Sequence, residues 1–400
     1  MKVSKVAEIA IKDEIRGMCY ENGKLYMTIP YIRAIITYDL QTRQIKALGY
    51  YNPGNNVFEK ILKFRDKIYL FPANGNGIYY YDLIKKEYRE LFDFDSVKSG
   101  SDFTNRKFFE VFEYKQLIYA VCRYPNAVIC INPFEDVVQL HCLPEKLLVN
   151  NPMVIEHFPV YICENKFIYA YSSTIVIEFS LVEEKFKIVY LEEDDCNTEY
   201  EYMVYGMILN DSGDTWLYNL YGDLFRIINN RKVRVAIPEE LVGAYDDGYA
   251  EQQYRINQVL SIKDKLCFVS QFDHRILLYD IRTNVFTWHE NPYADWEEGR
   301  RKLAYIVCAK MDANSYLLYH YNNSAIYVWN VLEGFTDKLE LKMLVEEIKN
   351  NTVFNEYALQ YFSREDDLEF YLAYISRAGK NKETAEEKYC GEKIYQSMDA

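Results

Sequence analysis

Seven times along this 400-residue chain a large apolar residue is followed at once by a small polar one. The pairs are Tyr38-Asp39, Tyr81-Asp82, Ile131-Asn132, Phe179-Ser180, Ile228-Asn229, Tyr279-Asp280 and Trp329-Asn330. Successive polar positions lie 43, 50, 48, 49, 51 and 50 residues apart. An Asp, Asn or Ser side chain closes a turn onto its own backbone, so each pair marks a strand that ends in a turn. An apolar stretch of strand composition precedes each one: KLYMTI, KIYLF, LIYAV, KFIYAY, DTWLYNL, KLCFVS and SYLLYHY.

The clearest copy spans 264–290, DKLCFVSQFDHRILLYDIRTNVFTWHE. It reads as three short half-buried strands separated by turns at 271–275 and 280–284, because apolar and polar residues alternate between turn-forming clusters. A further strand precedes each copy, at 15–20, 57–64, 108–114, 155–163, 202–209, 254–262 and 303–310. Four short strands recurring at this period, with no helical periodicity inside it, indicate blades arranged around an axis.

On these repeats, which cover 13–335, the chain resembles a seven-bladed β-propeller in the broad kelch-like or YVTN-like sense. The resemblance is one of architecture. Kelch blades carry a Gly-Gly pair and WD-type blades a Gly-His and a Trp-Asp dipeptide, none of which stands here at repeat spacing. The expected fold is all-β: four-stranded antiparallel blades over 1–338, then a helical extension over 339–400. The strand at 6–12 is expected to close the last blade beside 325–331, which would hide the sheet edges. The helical expectation rests on the stripe Leu341, Leu344, Val345 and Ile348, and on Ser363 with Asp366 as a capping box ahead of Leu368, Tyr371, Leu372 and Ile375.

Composition bounds the function. The 60 acidic residues exceed the 46 basic ones, giving a net charge of −14, and no basic cluster marks a nucleic-acid surface. Nine cysteines, an odd number set mostly among apolar strand residues, read as reduced thiols. The N-terminal residues alternate rather than form a signal-length apolar run, and no stretch reaches membrane-spanning length. The expected setting is cytoplasmic.

Function is expected on the face where the inter-blade connections and the turns ahead of the marker strands emerge. Its aromatic, amide and arginine side chains point to a non-catalytic binding module for a protein, peptide or glycan partner, without a cofactor. The candidate contact residues are Tyr31, Arg33, Asn74, Arg123, Tyr124, Tyr221, Asp273, His274, Arg275, Trp296 and Tyr321. The alternative is an enzyme acting on a carbohydrate or small polar metabolite at the channel mouth. There Glu59, Glu110 or Glu156 would work with His274, whose neighbour Asp273 would raise its basicity. Channel-facing positions are expected to include Tyr202, Arg255 and Tyr305 as well. His141, Cys142 and His157 lack zinc-ligand spacing, and the run Glu192, Glu193, Asp194, Asp195 and Glu199 lacks the pattern of a calcium loop. The segment ANGNG at 73–77 is hairpin chemistry rather than a phosphate loop.

Overall fold

The computed structural model describes residues 8–10, 15–30, 34–51, 57–74, 77–94, 108–122, 127–143, 161–163, 165–170, 175–192, 205–209, 214–219, 224–235, 256–270, 273–294, 304–321 and 323–344. After β1 (Glu8–Ala10), four strands form the first blade: β2 (Gly17–Glu21), β3 (Lys24–Ile29), β4 (Ala34–Asp39) and β5 (Gln44–Tyr50). The second holds β6 (Val57–Phe64), β7 (Lys67–Asn74), β8 (Gly77–Asp82) and β9 (Glu87–Asp93), and the third β10 (Phe108–Tyr114), β11 (Leu117–Cys122), β12 (Ala127–Asn132) and β13 (Val137–Cys142). In the fourth are β14 (Tyr161–Cys163), β15 (Lys166–Ala170), β16 (Ile175–Ser180) and β17 (Lys185–Tyr190); in the fifth β18 (Tyr205–Leu209), β19 (Thr215–Asn219), β20 (Leu224–Ile228) and β21 (Arg231–Val235). The sixth comprises β22 (Ile256–Ile262), β23 (Lys265–Ser270), β24 (Ile276–Asp280) and β25 (Val285–His289); the seventh β26 (Tyr305–Lys310), β27 (Ser315–His320), β28 (Ala325–Asn330) and β29 (Gly334–Glu340). Strand order in each sheet follows the chain.

The marker pairs end the third strand of every blade, and in six of them the polar side chain works as the sequence predicts. Asp82 Oδ1 accepts the amides of Ile84 (3.0 Å) and Lys85 (2.9 Å), and Asp39, Asp280 and Asn330 repeat this double bond. Asn132 and Ser180 each accept one amide. The residue four beyond the marker then takes positive φ, as Arg43, Lys86, Asp136, Glu184, Asn284 and Gly334 do. Blade five differs. Asn229 and Asn230 both have positive φ, which makes a two-residue turn of the hairpin type that asparagine tolerates.

Apolar residues of adjacent blades mesh into shared clusters. Tyr69, Phe71 and Phe94 of blade two pack with Phe108, Ile118 and Ile129 of blade three, and Tyr119 and Val128 of that blade pack with Phe167 and Phe179 of blade four. The ring closes in the same way. Met18, Met27 and Ile36 of blade one pack with Leu317, Tyr319 and Ile326 of blade seven, and Arg43 pairs with Asp337 at 2.6 Å.

Closure by the N-terminal strand beside 325–331 is not observed. The place next to β28 is taken by β29, because the chain after Asn330 supplies its own fourth strand. β1 instead pairs antiparallel with β30 (Lys342–Leu344) as a separate two-stranded ribbon. Lys342–Leu344, placed in the expected helical stripe, is therefore strand. Leu341 is buried in the cluster joining blades one and seven; Val345 and Ile348, with the 363–379 segment, lie outside the described residues.

Among the described residues, four innermost strands carry a bulge near their first residues, at Glu59, Phe109, Asn257 and Ile306. In blade one the amides of both Arg16 and Gly17 turn to Thr28, through its carbonyl and its hydroxyl oxygen respectively. A bulge resets which side chains face the channel. Among the described residues no helix is long and apolar enough to cross a membrane.

Candidate functional site

The best-built polar group on the expected face is the turn from Ser270 into β24. Asp273 is folded back: its amide donates to Ser270 Oγ at 3.1 Å, and its Oδ1 accepts the amide of Arg275 at 2.7 Å. The Arg275 guanidinium then grips the same carboxylate, Nη2 to Oδ2 at 2.8 Å and Nε to both oxygens at 3.1 and 3.2 Å. This two-point, charge-assisted contact fixes the arginine plane. The plane lies over the ring of Trp288, 4.1 Å from guanidinium carbon to centroid, adding cation–π attraction. Trp288 stands opposite Leu277 on β25, so two neighbouring strands hold one cation between a carboxylate and an indole.

His274 sits between two carboxylates, with Nδ1 3.7 Å from Asp273 Oδ1 and Nε2 3.8 Å from Glu290 Oε2. Both lie beyond hydrogen-bond length. Burial pushes the imidazole pKa down, against the pull of the two carboxylates and with the push of Arg275. Asp273 does pull the His274 pKa upward, as expected, but desolvation outweighs that Coulomb gain at these distances and the net shift is downward.

Beneath the turn lies a buried aromatic layer. Tyr305, fully buried, donates its hydroxyl to the carbonyl of His274 at 2.6 Å and accepts from Asn291 Nδ2 at 2.8 Å. Blade seven thereby holds the blade-six turn. His320 meets the rings of Tyr305 and Tyr327 edge to face at 5.3 and 5.8 Å, and its Nδ1 accepts the amide of Asn323 at 3.3 Å. Its pKa falls to about 3, first through burial and then through the charge of His274.

The channel carboxylates are engaged elsewhere. Glu59 faces Arg16 of blade one at 3.7 Å, and Glu110 faces Lys60 of blade two at 3.9 Å. They belong to blades two and three, whereas His274 belongs to blade six. Tyr305 is not a channel residue: it precedes the bulge at Ile306 and packs into the core between blades six and seven.

Asp273, His274 and Arg275 are thus brought together as the sequence suggests. Tyr321 is half-buried against the cluster joining blades seven and one, its amide bonded to the carbonyl of Ala304 at 2.8 Å. Asn74 ends β7, opposite Val57. Tyr31, Arg33, Arg123, Tyr124, Tyr221 and Trp296, with Glu156, Tyr202 and Arg255, lie outside the described residues. Sequence reasoning missed Trp288, Glu290, Asn291 and His320. The alternation of VFTWHE did place Trp288 and Glu290 on one side of β25, the signal that could have found them. Among the described residues no group of three or more His, Cys, Asp or Glu side chains is placed to hold a metal ion.

No protein-family model matches the chain, and no curated protein matches its sequence. Solved structures do share its fold. BamB from Moraxella catarrhalis aligns over 81% of this chain and 85% of its own, with 8% identity and a TM-score of 0.50. U3-55K aligns over 78% and 88%, with 9% identity and a TM-score of 0.49. PorZ, a component of the type-IX secretion system of Porphyromonas gingivalis, aligns over 82% of this chain, which spans 38% of PorZ, with 9% identity and a TM-score of 0.49. Sheet order, with the BamB likeness, defines the class: the chain is a seven-bladed β-propeller of four-stranded antiparallel blades.

Proposed function

We propose that the protein is a binding module that takes a protein, peptide or glycan partner on the face carrying Asp273, His274 and Arg275. The observation behind this reading is the immobilised guanidinium. Arg275 is held by Asp273 and Trp288 before any partner arrives, and its side chain is still 34% exposed. A cation fixed in advance loses little conformational entropy on contact, and arginine over an aromatic ring is the kind of anchor on which interfaces concentrate their energy. Exposed Glu290 beside it gives the patch both charges.

The enzymatic alternative receives less support. Its carboxylates Glu59 and Glu110 are each turned to a cation in a neighbouring blade, across the ring from His274. The test compares species crosslinked and captured by the native protein with those captured by Arg275→Lys. It adds a glycan array probed with both proteins. Lysine keeps the charge and loses the fork, so partners of this face should fall at least tenfold in capture while thermal stability stays within a few degrees. Unchanged capture, or turnover of an arrayed glycan, would overturn the reading.

A further inference from the structure

The opposite face carries a pattern that the binding site does not use. In the turns after the marker residues, the second position is apolar and exposed in three consecutive blades: Ile84 at 73%, Phe134 at 52% and Val182 at 63%. The turn geometry puts these side chains outward, since the marker oxygen accepts the amide at that same position in Ile84 and Phe134. Phe134 is held in place by Phe64, edge to face at 5.9 Å, and by Arg65, 4.3 Å from its ring centroid. Exposed apolar residues repeated at the same turn position of neighbouring blades, one of them held by its neighbours, offer an interaction surface when a partner brings them together.

The charges beside them change sign along the row. Ile84 is followed by Lys85 and Lys86, Phe134 by Glu135 and Asp136, and Val182 by Glu183 and Glu184, all exposed. Asp136 is already paired with Lys67, at 2.5 Å. The row therefore runs from basic in blade two to acidic in blades three and four, and at the centre Lys67 on Asp136 and Arg65 over Phe134 offset the acidic charge. A two-fold axis lying in the plane of this face and passing through blade three would lay Lys85 and Lys86 of one copy over Glu183 and Glu184 of the other, twice. The same axis leaves the ring between blades six and seven, where it would set Glu333, beside the exposed Leu332, over Arg282. Self-complementarity of this kind is what a two-fold homodimer requires.

We infer that the protein associates with a second copy of itself through this face, centred on Phe134, with blade two of each chain against blade four of the other. The test is sedimentation of the full chain, as native protein, Lys85→Glu/Lys86→Glu, Glu183→Lys/Glu184→Lys and Phe134→Asp. The native protein should sediment as a dimer of 47.6 kDa chains. Each variant should weaken self-association at least tenfold, with unchanged melting as the control for folding. An equimolar mixture of the two charge-reversed variants should regain the dimer, because both charge contacts are then restored. A native protein that stays monomeric at every concentration, its face left to residues 345–400 or to a different partner, would overturn the inference. So would a dimer indifferent to all three variants, or a mixture that fails to recover.

Discussion

Gly49 of the first blade lies directly against the ring of Tyr81 in the second, and the Tyr81 hydroxyl donates to the carbonyl of Leu48 at 2.6 Å. A Cβ on residue 49 would stand 2.6 Å from that hydroxyl oxygen and closer still to the ring, so the absence of a side chain is what lets β5 and β8 approach. Gly49→Ala should lower stability by about 1–3 kcal/mol, the usual cost of forcing volume into a packed contact. Tyr81→Phe, which keeps the ring and loses one hydrogen bond, should cost about 1 kcal/mol. Urea titrations of the two variants check the order, and an innocuous Gly49→Ala would mean that the ring moves aside freely.

Thr28 joins the first two blades from inside. Its hydroxyl accepts the amide of Gly17 at 3.0 Å and donates to the carbonyl of Phe58 at 3.0 Å, with Thr28 fully buried. Thr28→Val keeps the shape and strands both backbone groups away from water, which should cost about 1–3 kcal/mol. Hydrogen exchange at Gly17 in this variant should rise well above the level that global destabilisation explains. Protection equal to that of the native protein would refute the bridge.

Acid should destabilise the fold in a window set by histidine. Buried His320 has its pKa lowered from 6.5 to about 3, so below pH 6.5 the unfolded chain takes up a proton that the native state refuses. Its contribution is intact above about 6.5 and is lost as pH falls toward 3, at about 1.4 kcal/mol per pH unit in mid-window. Burial lowers His274 and His289 as well, with the same sign. Asp280, brought to about 2 by Lys265 and the Thr283 amide, acts only below the usual carboxylate range. Unfolding midpoints between pH 7 and 5 should slope less in His320→Gln than in the native protein. Parallel slopes would show that His320 is not the titrating group.

The repeat was legible because its marker residues do a local job. An Asp or Asn that bonds the next amides is a turn in any context, and the evenly spaced pairs therefore delivered seven blades and the ends of their third strands. Ring closure was not legible: β1 and β30 are three residues each, and which short strand pairs with which is decided by packing rather than by alternation. The channel was misread at Tyr305 for a related reason, since one bulge shifts a period of two and nothing in LAYIV announces it. At the candidate site the chain-adjacent trio of Asp273, His274 and Arg275 could be seen. The tie from Tyr305 across 31 residues could not.

Among the described residues no strand is exchanged across the seam between the first and seventh blades. Side chains hold it, as they hold the seams on either side of blade three, and the ribbon of β1 and β30, a sheet of its own lying against β5, already pairs the two ends of the described chain. The order in which the blades are strung is thus separable from the ring they make. A circularly permuted chain, joined across that ribbon and opened in another inter-blade connection, would present the same two faces from a different starting residue.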